Sequence, residues 1–311
     1  MIRTASICLL TLTAVALLWA APLTSRAQDL YIVNDNTSTV GEYDATTGDA
    51  IAGFTSPSGL AAPSGLAICD GDLYISNNNN NTVGEYDAAT GAAIAGFTSP
   101  AGLSNPTELV IWAGDLYVAN EDGAVGQYNA MTGATIDAAF ITGLDKPLGL
   151  AVCDGDLYVS NNGNNTIGEY DATTGDAIDT FTSPAGLDGP FNLAISDGNL
   201  YVANENNSTV GEYSATTGAA IAGFTSPTGL SSPTGLAISG ANLYISNVGN
   251  NTLGDYDATT GATIDGSMIA GLQLPYVIAV SPVPEPGPWP LVAGGMALLS
   301  GFRIFQRRQK S

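Results

Sequence analysis

The pentapeptide Leu-Tyr-(Ile/Val)-x-Asn occurs six times in the 311 residues, with its tyrosine at Tyr31, Tyr74, Tyr117, Tyr158, Tyr201 and Tyr244, so successive copies lie 43, 43, 41, 43 and 43 residues apart. A unit of that size cannot bury its own apolar face, whereas copies stacked side by side share a continuous core. The period therefore constrains the architecture before any single residue does.

One copy reads as four short strands. Residues 63–69 are apolar and β-prone, Asp70-Gly71 is a hairpin turn, and residues 72–76 are a second strand. The asparagine run Asn77 to Asn81 connects to a third strand at 82–86. The turn Asp87 to Gly91 leads to a fourth at 92–97, which Thr98-Ser99-Pro100 breaks. No window carries a 3.6-residue period, which excludes a helical repeat. Four strands in about 43 residues match one blade of a β-propeller.

The recurring segments Pro-x-Gly-Leu-Ala-(Ile/Val), Gly-(Asp/Asn)-Leu-Tyr-(Ile/Val)-x-Asn and Asn-Asn-Thr-(Val/Ile/Leu)-Gly-(Glu/Asp)-Tyr-Asp resemble the NHL repeat over residues 29–281. The resemblance implies an all-β, six-bladed propeller of four-stranded blades, and it leaves function open, since such propellers serve as scaffolds, binding rings and enzymes. First strands begin at Pro63, Pro106, Pro147, Pro190, Pro233 and Pro275. The last has no Leu-Tyr strand after it, and the first Leu-Tyr strand, at Leu30-Tyr31, has no first strand before it. Pairing these two orphans would close the ring and cover two exposed edges.

The ends read differently from the body. Residues 1–27 carry Arg3, an apolar run over 5–23 and Ser25-Arg26-Ala27 before Gln28, the composition of a cleaved secretory signal, with a retained membrane anchor as the alternative. After the body, residues 28–282, Pro284-Glu285-Pro286 precedes an uncharged stretch at 287–302 and then Arg303, Arg307, Arg308 and Lys310. At ~1.5 Å per residue that stretch spans about 24 Å as a helix, somewhat short of a ~30 Å hydrocarbon core, and Ile304 and Phe305 extend it if Arg303 snorkels.

This order of parts resembles the PEP-CTERM sorting signal of bacterial surface proteins, covering residues 283–311. The resemblance implies Pro284, Glu285, Pro286, Arg307 and Arg308 as sorting residues, a hydrophobic anchor helix, an exosortase-type membrane protease as partner, and delivery to the cell envelope, cell surface or extracellular matrix. A plain C-terminal membrane anchor is the alternative.

Between these ends the body holds one basic residue, Lys146, against 28 acidic ones, a formal charge of −27. Such a surface repels nucleic acid and suits divalent cations, Ca²⁺ first among them. The body has two cysteines, Cys69 and Cys153, at the same repeat position two repeats apart, too distant to pair in a ring and expected as separate buried thiols.

There is no histidine, which removes Ser-His-Asp and Cys-His nucleophile systems and imidazole metal sites. Most carboxylates recur with the repeat, so Glu42, Glu85, Glu169, Glu212 and Asp255 are expected on a solvated strand face. Asp44, Asp87, Asp171 and Asp257 are expected as turn formers. Turn chemistry also accounts for the asparagine-rich connections, with oxygen ligation of Ca²⁺ as the functional alternative, although no segment has EF-hand spacing.

Positions that break the repeat carry more information. The two residues after each first-strand proline include Glu108, Phe191, Asn192 and Tyr276, expected to ring one mouth of the channel as a ligand site for a cation, peptide or sugar. Blade-specific packing is the plainer explanation. The expectation is an exported structural or interaction protein, not an enzyme, with Ca²⁺ as its one candidate cofactor and exopolysaccharide, glycan or peptide as candidate partners. The alternative is a carbohydrate-active or metal-dependent propeller hydrolase or lyase using a mouth carboxylate.

Overall fold

A computed structural model of the protein describes residues 28–281; the expected signal at 1–27 and sorting segment at 283–311, with Pro284, Glu285, Pro286, Arg307 and Arg308, lie outside the described residues. Among the described residues no helix is long and apolar enough to cross a membrane.

Among the described residues twenty strands form six antiparallel sheets. Sheet I joins β1 (Asp29–Asn34) and β2 (Thr39–Asp44) to β20 (Pro275–Val280), so the two orphan strands do share a sheet. Sheet II holds β3 (Pro63–Cys69), β4 (Asp72–Asn77) and β5 (Thr82–Asp87); sheet III holds β6 (Pro106–Trp112), β7 (Asp115–Asn120), β8 (Ala124–Asn129) and β9 (Thr135–Thr142). Sheet IV holds β10 (Pro147–Cys153), β11 (Asp156–Asn161) and β12 (Thr166–Asp171); sheet V holds β13 (Pro190–Ser196), β14 (Asn199–Asn204) and β15 (Thr209–Ser214). Sheet VI holds β16 (Pro233–Ser239), β17 (Asn242–Asn247), β18 (Thr252–Asp257) and β19 (Thr263–Ala270). Each innermost strand packs on the next in the order β20, β3, β6, β10, β13, β16 and again β20, the contact order of a propeller around a channel.

The repeated pentapeptide performs three jobs. Its leucines, such as Leu73 and Leu157, have no exposed surface and fill the interface with the neighbouring sheet. Its tyrosines are buried, and their hydroxyls donate to an alanine carbonyl of the following sheet: Tyr31 to Ala88, Tyr117 to Ala172, Tyr158 to Ala215, Tyr201 to Ala258 and Tyr244 to Ala45, at 2.6–3.1 Å. The last of these links sheet VI to sheet I. Its asparagines accept at Oδ1 from the loop before each innermost strand, as Asn161 does from the Asp145 N–H at 3.1 Å. The hairpin turn also behaves as expected, with Asp70 and Gly71 at φ 52 and 91, the left-handed pair a type I′ turn requires.

Two expectations are corrected. Only sheets III and VI have a full fourth strand; sheets I, II, IV and V end in a single bridge, such as Tyr86↔Ala93. In those four the chain turns away through Phe-Thr-Ser-Pro, preceded by glycine in sheets I, II and V and by Thr180 in sheet IV, and a serine hydroxyl takes over as backbone acceptor. Ser56, Ser99, Ser183 and Ser226 accept from the third-strand N–H groups of Val40, Val83, Ile167 and Val210 at 2.8–3.0 Å. The accompanying phenylalanines pack edge-on against the repeat tyrosines, Phe54 on Tyr31 at 5.6 Å for example.

Nor is the row Glu42, Glu85, Glu169, Glu212 and Asp255 solvated, for all five are buried. Each lies directly across the ladder from a repeat tyrosine, and Glu169 Oε1 lies 2.7 Å from the Tyr158 hydroxyl, whose one proton it shares with the Ala215 carbonyl. Burial raises the Glu169 carboxyl above its usual range. The turn aspartates do act as turn formers: Asp171 Oδ1 accepts from the N–H groups of Thr173 and Thr174, both at 2.8 Å.

Candidate ligand-binding channel

The sheets lining the channel alternate in kind, a feature the 43-residue period hides. Two residues past the repeat tyrosine, sheets II, IV and VI carry Ser76, Ser160 and Ser246, while sheets I, III and V carry Val33, Ala119 and Ala203. Two residues past the innermost-strand proline, sheets II, IV and VI carry Gly65, Gly149 and Gly235, whereas III, V and I carry Glu108, Asn192 and Val277. The two alternations fit together. A Cβ on Gly65 would sit 2.2 Å from the Thr107 carbonyl oxygen, and one on Gly149 2.2 Å from that of Phe191. The space so freed admits the serine, whose hydroxyl donates to those carbonyls, Ser76 to Thr107 and Ser160 to Phe191 at 2.5 Å.

At one end of the channel is a mouth of about 350 Å³ lined among others by Asp35, Glu121, Glu205, Lys146, Phe191 and Tyr276. The three carboxylates occupy one repeat position, four residues past the tyrosine, in sheets I, III and V, with Asn78 and Asn162 between them. Phe191 and Tyr276 meet edge to face, centroids 5.0 Å apart at 87°. Burial pushes the Tyr276 hydroxyl up to about 12, with Glu205, Asp35 and Glu121 adding to the shift. Lys146, the lone body cation, pairs with Glu121 at 3.4 Å. The Asp35 and Glu205 carboxyls are both raised by burial, Glu205 with partial relief from Lys146.

Deeper in the channel Glu108 and Asn192 meet from sheets III and V and hydrogen-bond through Oε2 and Nδ2. Glu108 Oε1 accepts from the N–H groups of Leu66 at 3.3 Å and Leu109 at 3.1 Å. Burial nevertheless dominates and pushes this carboxyl up to about 8, against the lowering effect of the bonds from Leu109, Leu66 and Asn192. Burial thus favours the protonated form of Glu108, and the three donors favour the charged one. Glu108 lines a second pocket of about 280 Å³, more open than the mouth, whose lining exposes polar and apolar surface in nearly equal parts.

The four residues expected at one mouth thus divide by depth. Phe191 and Tyr276 line the mouth, while Glu108 and Asn192 line the cavity below, because successive residues of a strand point opposite ways. Sequence reasoning missed the acidic rim of Asp35, Glu121 and Glu205. Their signal in the sequence is the alternation of acidic with other residues at one repeat position, Asp35, Glu121 and Glu205 against Asn78, Asn162 and Val248. Among the described residues Glu108 is the one carboxyl lining this pocket.

Among the described residues no three His, Cys, Asp or Glu side chains converge as a metal site. Cys69 and Cys153 are free and half-buried, not fully buried as expected. Burial raises both thiols, and Asp70 and Asp154 respectively raise them further, so neither is an activated nucleophile.

Comparison with known proteins agrees with this architecture. Residues 144–170 match the family model described as NHL repeat. A chain in the crystal structure of a nidogen/laminin complex is similar with a TM-score of 0.70 at 15% identity, over 83% of this chain and 99% of that one. The crystal structure of the computationally designed Ika8 protein is similar with a TM-score of 0.51 at 18% identity, over 79% of this chain and 73% of that one. At such identities the likeness is one of fold. No curated protein sequence matches the chain. The chain carries an NHL repeat and is built as an all-β propeller similar to that of the nidogen/laminin structure.

Proposed function

We propose that the protein is an exported binding propeller of the cell envelope, cell surface or extracellular matrix that captures cationic groups at its acidic mouth. In this reading residues 1–27 are a cleaved signal, residues 28–282 a closed six-bladed ring, and residues 283–311 a sorting segment recognised by an exosortase-type protease. The sharing of sheet I by both ends of the body supports closure. The observation that carries the binding role is the mouth itself: carboxylates from three alternate sheets surround an aromatic pair, with one lysine already paired. A primary amine of a peptide or of an amino sugar fits this lining, by charge at the rim and by cation–π contact with Phe191 or Tyr276. The similar chain from a nidogen/laminin complex is in keeping with a binding role.

Calorimetric titration of the full chain with Nα-acetyl-lysine amide and with a glucosamine oligomer tests this. Saturable binding should weaken about tenfold or more in the triple variant Asp35→Asn, Glu121→Gln, Glu205→Gln, and strengthen in Lys146→Gln. Affinity untouched by the triple change would refute the acidic mouth. Mass determination of protein recovered from its native envelope tests the processing separately, a chain starting at Met1 being the result that rejects export by a cleaved signal.

A further inference from the structure

Below the mouth the channel wall is largely main chain. The innermost strands β20, β3, β6, β10, β13 and β16 each end their sheet, so one backbone edge of each has no further strand to pair with and faces the channel. The N–H groups of Leu66 and Leu109 show the direction, since both reach inward to Glu108 Oε1. Their counterparts are Leu150, Leu193, Leu236 and Ile278, each opposite the residue that follows the repeat tyrosine. The side chains of these six residues lie in six separate cores between sheets, so what they lend the channel is their amides.

The pocket of about 280 Å³ at this level has the corresponding character. Every residue lining it other than Glu108 and Asn192 is aliphatic, and those two are each only 4% exposed, yet nearly half of the lining is polar. Most of that polar surface is therefore backbone N–H and C=O. Asn192 adds a directed group. Its Nδ2 donates to Glu108 Oε2, while Oδ1, in the observed orientation, has no hydrogen-bond partner among the described residues. A buried acceptor left unpaired is costly, so Oδ1 draws its donor from the pocket.

We propose that this level of the channel binds one uncharged polyhydroxylated ring, a monosaccharide or a cyclitol, with one hydroxyl donating to Asn192 Oδ1 and others meeting the strand-edge amides. A hydroxyl both donates and accepts, which suits an edge that presents N–H and C=O groups together. The C–H faces of such a ring suit the aliphatic half of the lining. Size agrees as well: a cavity of about 150 Å³ takes benzene, with six non-hydrogen atoms, so one nearly twice as large has room for roughly the twelve of a hexose. The ligand is uncharged because no cation lines the pocket to receive an anion, and its one carboxyl is already turned to three N–H donors. This site rests neither on cation capture at the mouth nor on export.

The test is titration of the full chain, by calorimetry and saturation-transfer NMR, with myo-inositol, with methyl β-D-glucopyranoside and with cyclohexanol, a ring of similar width bearing a single hydroxyl. One saturable site per chain is expected for at least one of the two polyols, with cyclohexanol at least tenfold weaker. Asn192→Leu should bind that polyol about fivefold to tenfold more weakly. Absence of saturable binding by both polyols would mean that water alone satisfies the wall and would overturn the proposal. Equal affinity for cyclohexanol, or a folded Asn192→Leu variant that binds as the wild type does, would overturn it too. The comparison of polyol with cyclohexanol is made on the wild-type chain and decides the matter even if the variant does not fold.

Discussion

Replacing Glu108 by glutamine should stabilise the protein at neutral pH, although it removes a hydrogen-bonded side chain from the middle of the channel. Burial raises the Glu108 carboxyl from 4.5 to about 8 in the folded chain. A carboxyl whose folded value is raised contributes its full stability below the unfolded value, near pH 4.5, and loses it progressively as pH climbs through the folded value near 8. Each pKa unit corresponds to about 1.4 kcal/mol, so about 3 kcal/mol is lost by pH 7 and about 5 kcal/mol above pH 8, both ceilings that water entering the channel reduces. Glutamine has the shape of the neutral acid. Its Oε1 keeps the Leu66 and Leu109 N–H groups, and its Nε2 can donate to Asn192 once that amide is turned. Differential scanning calorimetry of wild type and Glu108→Gln from pH 4.5 to 8.5 isolates this group, since every other carboxyl is common to both. The melting temperatures should nearly coincide at pH 4.5 and separate in favour of the variant by roughly 6–12 °C at pH 7. Parallel curves would refute the argument, for they would mean that Glu108 titrates alike folded and unfolded.

Other outcomes follow from the packing. Tyr158→Phe removes the hydroxyl that faces both Glu169 Oε1 at 2.7 Å and the Ala215 carbonyl at 3.1 Å, and should cost about 1–3 kcal/mol in urea denaturation. Gly65→Ala should destabilise by about 1–3 kcal/mol or more, because its Cβ meets backbone at 2.2 Å, and should exceed Gly235→Ala, where the nearest atom is the Ser246 hydroxyl at 2.7 Å. Calcium chloride and sodium chloride at equal ionic strength should raise the melting temperature alike, by screening the body's self-repulsion; a specific rise with Ca²⁺, removed by chelator, would reveal a site that the side-chain positions do not indicate.

The scaffold was legible in the chain because it rests on period and turn chemistry. The tyrosine spacing, the Asp-Gly hairpins and the unpaired segments at Leu30 and Pro275 were enough to place the sheets and to bring the two ends together. What escaped was whatever depends on the neighbouring sheet. Glu169 is polar and sits in an alternating strand, so it reads as solvent-facing, yet the adjacent sheet covers it and leaves Tyr158 as its donor. Ser183 reads as a strand breaker beside Pro184, yet its hydroxyl completes the edge that a fourth strand would have filled. The site divided for a similar reason. Residues adjacent in sequence, Phe191 and Asn192, share a strand but serve different levels of the channel.

In the alternation of glycine–serine sheets with bulkier ones, each of the glycines Gly65, Gly149 and Gly235 of sheets II, IV and VI meets the backbone of the next sheet, at Thr107, Phe191 and Tyr276, and that next sheet carries Glu108, Asn192 or Val277 at the glycine's own position. The ring therefore has a second period of two blades laid over the first, and a substitution made alike in all six copies would meet two different surroundings.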